Sequence, residues 1–145
     1  MPSLSEALQD QSKEPQIVQA CVDHIDAEVA GKSGLSGMAL KAGYNLVKGL
    51  KPGIMTSAMQ KLLPEFAQVL DPIREEALSN GKTVPVYFRE HASRIAEAML
   101  SITDERIHDS DKPVVKNTYK KLRATAQKNV EEAVPGLADI IARFT

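Results

Sequence analysis

The chain has 145 residues and a formal net charge of −1; hydrophobic residues make up 43% and charged residues 26%. This size and composition suit one soluble globular domain with its own core, and no window approaches the roughly 18 continuous apolar residues of a membrane-spanning helix. The single cysteine, Cys21, excludes an internal disulfide and favours the cytoplasm, and the N-terminal stretch lacks the basic and apolar regions of a signal peptide. An isoelectric point of about 6.3 argues against dedicated nucleic-acid binding.

Helix signals follow one another through the first third of the chain. Ser3-x-x-Glu6 has the spacing of a capping box, which predicts a short helix from residue 3 onward. Pro15 suits the first turn of a second helix, and the apolar residues after it recur at helical spacing. A third helix is predicted at about 35–50, and its apolar residues on one side are Met38, Ala39, Ala42, Leu46 and Leu50.

Several prolines lie in the next part of the chain. Apolar residues recur at helical spacing from Ile54 to Ala77, and Pro64 and Pro72 predict that this stretch divides into consecutive helices. The segment "TVPVYFRE" at 83–90 is the one strand-like patch, but it is short and contains a proline. It therefore predicts the start of a helix and no sheet.

The last third of the chain is also predicted to be helical. One helix is expected from about Ala92 to His108, and another from Pro113, with Pro135 starting a separate final helix. The sequence as a whole predicts an all-α fold. It is a single compact bundle of about six to eight helices without a sheet, several of them short and proline-started, and residues 1–145 form one domain.

The tripeptide Gly31-Lys32-Ser33 raises the question of a phosphate-binding loop. Such a loop needs a glycine five residues before Gly31 and lies between a strand and a helix. Asp26 occupies that position, and the residues before Gly31 have the pattern of an amphipathic helix. Both requirements fail, so Gly31 is expected to end one helix while a serine caps the next.

Two constellations have the residue types of metal ligands. Cys21, His24 and Glu28 recur on one helical face, but Cys21 lies in an apolar stripe, where a thiol behaves as a small hydrophobe. Glu105-x-x-His108 has the spacing of one half of a di-iron site and lacks the second half. The sequence therefore predicts no metal, no cofactor and no catalytic residue, and it points away from an enzyme.

Glycine is concentrated around the predicted third helix, since six of the eight glycines lie between Gly31 and Gly53. Ala39-x-x-x-Gly43 places two small residues on one face, which lets another helix approach closely. This helix, which also carries Lys41 and Lys48, is predicted to serve close packing within the chain or self-association.

Charge is segregated along the chain. Residues 31–61 carry five lysines and no acid, and residues 112–130 carry six basic residues and no acid. In the second segment, four basic residues fall within about 80° of one helix face. They are Lys112, Lys116, Lys120 and Arg123. This basic stripe is a candidate surface for an anion or an acidic partner, although basic helices also pack beside acidic ones with their side chains solvated.

The sequence also resembles a small bacterial family of unknown function, found in actinobacteria and other bacteria. The resemblance covers nearly the whole chain and rests on three runs: "DAEVAGKSGLSGMALKAGYNLVKGLKPGI" (26–54), "LLPEFAQVLDP" (62–72) and "VVKNTYKKLR" (114–123). It implies a helical cytoplasmic domain and carries over no site residue.

Two functions follow as hypotheses. The first is a non-enzymatic helical interaction protein that binds itself or an acidic partner through helix 35–50 or helix 113–130. The alternative is a carrier or sensor of a small apolar or anionic ligand. That ligand would lie in a pocket between helices lined by Met38, Tyr44, Met55 and Met59, because flexible methionines suit such walls.

Overall fold

The computed structural model describes residues 2–145. These residues form seven α-helices and no strand, as the sequence predicts. The helices are α1 (Leu4–Gln9), α2 (Glu14–Ala30), α3 (Gly34–Lys48), α4 (Ile54–Ser79), α5 (Val84–Glu90), α6 (Ala92–His108) and α7 (Pro113–Phe144). In this part of the chain, no helix combines the length and the apolar character that crossing a membrane requires.

Prolines in the first turn start three of the helices, since their missing N–H has no partner there. Pro15, Pro85 and Pro113 hold these positions in α2, α5 and α7. The strand-like patch is the short helix α5, and its N-cap Thr83 accepts a hydrogen bond from the backbone N–H of Val86. The prediction of a helix in this segment is confirmed.

Three further prolines lie inside helices. Pro64 and Pro72 are within α4, and Pro135 is within α7, so the prediction that they separate consecutive helices is wrong. A proline inside a helix costs roughly 3 kcal/mol in isolation. In α4 this cost is offset because the turns before and after each proline bury large side chains in the same core, among them Leu63 and Ile73.

One hydrophobic cluster joins α1, α2, α4, α5, α6 and α7. Phe88 of α5 and Ile95 of α6 are completely buried in it, and Leu63 of α4 is nearly so. Of the seven helices described, α3 alone contributes no residue to this cluster, whether buried or partly buried. Helix α3 is therefore held by the fold without being part of its core.

Helix α1 is anchored by a side chain from distant sequence. The predicted capping box is present, with Ser3 and Glu6 each accepting a hydrogen bond from the backbone N–H of the other. In addition, the carboxylate of Asp71 in α4 accepts hydrogen bonds from the N–H groups of Leu4 at 2.8 Å and Ser5 at 3.0 Å. The first turn of α1 is thus capped by its own residues and by the middle of α4.

Candidate interaction surfaces

Helix α3 packs on the rest of the protein through its glycine-containing side. A Cβ atom added at Gly43 would lie 2.9 Å from Thr118 Cγ2 and 3.0 Å from Leu122 Cδ1 of α7. Because α3 approaches α7 so closely here, Gly43 serves packing within the chain. The hydroxyl of the next residue, Tyr44, donates a hydrogen bond to Asp26 of α2.

The adjacent part of the α3 surface presents large apolar side chains to solvent. The exposed fraction is 87% for Leu35, 66% for Met38, 56% for Leu46 and 40% for Leu50, which lies just past the end of the helix. Two exposed alanines lie among them. At 100° per residue, the six residues span about 120° of arc. We call them the outer face of α3: Leu35, Met38, Ala39, Ala42, Leu46 and Leu50.

The outer face is unusual for a surface helix, because such helices are normally apolar on one side only. In α3 the side toward α7 and the side toward solvent are both apolar. Contiguous exposed apolar surface on a folded protein is a common feature of interaction sites. The sequence places Met38, Leu46 and Leu50 on one side of this helix, but their spacing is the same as that of a core-facing stripe and does not indicate that they are exposed.

The lysines around α3 are partly neutralised by the protein itself. Lys32 lies 3.5 Å from Glu28 of α2 and 3.4 Å from Glu132 of α7. Lys48 donates to Asp26 at 3.2 Å and lies 5.2 Å from the centre of the Tyr44 ring. Lys41 is half-buried on the same helix. The outer face itself carries no charge.

The basic stripe of α7 divides into two parts. Lys112, Lys116 and Lys120 are exposed, and within residues 2–145 none of them lies within 4.0 Å of a carboxylate. Arg123 instead donates to both oxygens of Asp104 in α6, at 2.9 and 3.2 Å. Only the three lysines are therefore available to an acidic partner.

This division leads to a prediction about Arg123. Arg123→Glu places a carboxylate beside Asp104, so we expect the melting temperature to fall by about 2–4 °C, a modest effect because the ion pair is solvent-screened. The double variant Lys116→Glu/Lys120→Glu reverses charges that have no partner and should leave the melting temperature within about 1 °C of the wild type. Thermal unfolding followed by circular dichroism measures both, and equal shifts for the two variants would contradict the prediction.

All three tyrosines of the chain brace helices in the same way. Each donates its hydroxyl to a carboxylate on another helix, and a lysine or arginine donates to the same carboxylate. The groups are Tyr44–Asp26–Lys48, Tyr87–Glu76–Arg94 and Tyr119–Asp104–Arg123. Hydrogen bonds from Arg94 and Tyr87 lower the pKa of Glu76 to about 2, and burial and the bond to Asp104 raise the pKa of Tyr119 to about 12. The contacts that brace the helices account for these pKa shifts, and no catalytic role is needed to explain them.

The candidate metal ligands are engaged elsewhere. Cys21 is buried, and burial raises the pKa of its thiol to about 11, which disfavours the thiolate that binds metals. Nε2 of His24 lies 2.8 Å from the carbonyl oxygen of Ala133, so this nitrogen carries the proton. His108 is exposed and contacts Asp109. Across residues 2–145, no three His, Cys, Asp or Glu side chains come together as a metal site would require.

A cleft of about 720 Å³ lies between the end of α3, the start of α4, the end of α6 and the start of α7. It brings together lysines from both acid-free segments, namely Lys51, Lys61 and Lys112. Its four basic residues are matched by four acidic ones, because Arg106 joins the lysines while Glu65, Glu105, Asp109 and Asp111 also line it. The cleft therefore has no net charge with which to select an anion.

The four residues predicted to line a ligand pocket are not assembled into one. Met55 lines this cleft, whereas Met59 is buried in the core and Met38 is exposed on α3. Tyr44 is engaged with Asp26. The structure thus gives no specific support to a carrier of a small ligand.

Arg74 of α4 is a buried charge that sequence analysis missed. Its exposed fraction is 5%, its Nη1 atom donates to Glu75 at 3.2 Å, and its Nε atom has no hydrogen-bond partner. Its position at helical spacing among the apolar residues of α4 was the feature of the sequence that could have predicted its burial. Arg74 is not among the residues that line the cleft described above.

Comparisons with known proteins identify a family and indicate no specific function. No curated protein and no solved structure matches the chain. One family, described as a family of unknown function, matches residues 4–145 and so covers nearly the whole sequence. The chain therefore belongs to the DUF6918 family.

Proposed function

We propose that this protein is a non-enzymatic interaction protein that docks through the outer face of α3. In this proposal residues 1–145 act as one domain, which is supported by the single hydrophobic cluster that joins six helices. The proposal places the protein in the cytoplasm of a bacterial cell, and the single, buried cysteine fits a reducing compartment.

The observation that carries the proposal is the exposure of the outer face of α3. Leu35, at 87% exposed, and Met38, at 66%, gain nothing from the fold, whereas burying such side chains against a partner is favourable. The helix that bears them is also the one that the core does not use. A docking element explains both facts, because it must be held in place without losing its binding side.

The free lysines of α7 support a second contact with an acidic partner. Lys116 and Lys120 project from the surface without an ion pair among residues 2–145. Charges of this kind contribute to the rate and orientation of association more than to its strength. We propose that an acidic partner contacts these lysines, separately from the occupant of the outer face of α3.

An affinity experiment with a matched control tests the proposal. Immobilised wild-type protein is compared with Ala42→Glu, which places a carboxylate in the middle of the outer face at an exposed position. A protein that the wild type captures is purified, and its direct binding to each variant is measured. We expect Ala42→Glu to bind this protein with an affinity at least about tenfold lower, because the new charge is left unpaired in an apolar interface. Ala142→Glu, at an exposed position of α7, should bind like the wild type. Equal affinity of the wild type and Ala42→Glu would refute the proposal.

A further inference from the structure

We infer that the occupant of the outer face of α3 is the same face of a second copy of this chain, with the two helices antiparallel around a two-fold axis. The inference rests on the proposed function and specifies the partner. The order of residues along the face, its lack of charge and its size support this inference.

Four of the six residues of the outer face have a spacing that reads the same in both directions. Leu35, Ala39, Ala42 and Leu46 follow one another at intervals of four, three and four residues, which is the spacing of a seam between two packed helices. A two-fold axis midway between Ala39 and Ala42 places Leu35 of one copy opposite Leu46 of the other. The same axis places each Ala39 opposite an Ala42, where small side chains allow the helices to approach. Self-association around a two-fold axis needs a surface that is complementary to itself in this way.

Charge favours a second copy over an acidic protein at this face. The outer face carries no charged residue, so two copies bring no like charges together along the seam. Two of the lysines near this face are also engaged within the chain, since Lys48 is paired with Asp26 and Lys32 with Glu28.

The size of the face predicts a weak dimer. A helix of 15 residues is about 22 Å long, and one helix pair of that length buries less than the roughly 800 Å² per partner of a standard interface. We therefore expect a reversible equilibrium between monomer and dimer, with a dissociation constant on the order of 1–100 µM.

Sedimentation velocity of the full chain tests the inference over about 5 to about 500 µM, a range chosen to bracket that dissociation constant. We expect the wild type and Ala142→Glu to shift from monomer to dimer over this range. Ala42→Glu should remain monomeric throughout, with unchanged helix content by circular dichroism. Dimerisation of Ala42→Glu like the wild type would overturn the inference, because another surface would then be responsible.

Cysteine cross-linking tests the antiparallel register. With helices antiparallel, the two copies of residue 35 lie about 16 Å apart along the axis, whereas residue 35 of one copy faces residue 46 of the other. A mixture of Leu35→Cys and Leu46→Cys should therefore form an oxidised dimer, while each variant alone remains reduced. The native Cys21 is buried and stays in place. Cross-linking of each variant alone would indicate parallel helices and overturn this arrangement.

A wild-type chain that stays monomeric at the highest concentration would also overturn the inference. The proposed function is then judged separately, by whether Ala42→Glu weakens the binding of a different, purified protein. A dimer that Ala42→Glu abolishes supports both statements together.

Discussion

Replacing Asp71 with alanine is expected to lower the free energy of unfolding by about 2 kcal/mol, since hydrogen bonds to a charged group contribute roughly 1.5–3 kcal/mol. The Asp71 carboxylate accepts from two backbone N–H groups at the start of α1, at 2.8 and 3.0 Å. Without it, those donors have no partner in the fold, and the buried contacts of Leu4 and Ala7 weaken with the release of α1. Chemical denaturation measures the change, and hydrogen exchange should show faster exchange in α1.

Ser3→Ala provides the comparison for this effect. It removes only the local cap of α1 and should cost about 1 kcal/mol, which is less than the loss of Asp71. Asp71→Asn retains one acceptor and should fall between the wild type and Asp71→Ala. An Asp71→Ala protein with wild-type stability, or with α1 exchange unchanged, would show that this long-range cap contributes nothing.

Replacing Gly136 with alanine is expected to destabilise the protein by about 1–3 kcal/mol, the usual cost of overpacking. A Cβ atom at this position of α7 would lie 2.6 Å from Nε2 and 2.8 Å from Nδ1 of His24 in α2. The imidazole must then move away and lose its hydrogen bond to the carbonyl oxygen of Ala133. A loss of stability would be informative, because glycine-to-alanine changes inside helices otherwise stabilise a protein by up to about 1 kcal/mol.

A double-mutant cycle isolates this contact. In a His24→Ala background the ring is absent, so Gly136→Ala should become neutral or stabilising. The four proteins are compared by chemical denaturation. The same destabilisation from Gly136→Ala with and without the ring would show that His24 is not what requires glycine at this position.

The features that the sequence predicts well are those encoded within a few neighbouring residues. The capping box of Ser3 and Glu6, the prolines that begin α2, α5 and α7 and the helical spacing of apolar residues are all local, and these helices begin where the signals predict them. The two features that exclude a phosphate-binding loop are also local, because Asp26 and the helical pattern before Gly31 can both be read from the sequence.

The tertiary structure decides what depends on distant segments. Pro64 and Pro135 interrupt the backbone hydrogen bonds of α4 and α7, yet both helices continue, because the turns on either side pack on one core. The partner of Asp71 is likewise invisible in the sequence, where this residue has the pattern of a cap for a helix beginning at Pro72. Its carboxylate instead reaches α1, which lies more than sixty residues earlier in the chain.

The candidate site shows the same limit. Sequence spacing identifies α3 as a helix with small and basic residues, and it places Met38 and Leu46 on one side. The position of α7 decides which side of α3 faces inward. Because α7 approaches closely at Gly43 and leaves no room there for a larger side chain, Leu35 and Leu46 face solvent. The sequence by itself determined that this protein is helical and where its helices begin. The packing of segments far apart in the chain determined which apolar face remained uncovered, because burial depends on neighbours that no local pattern specifies.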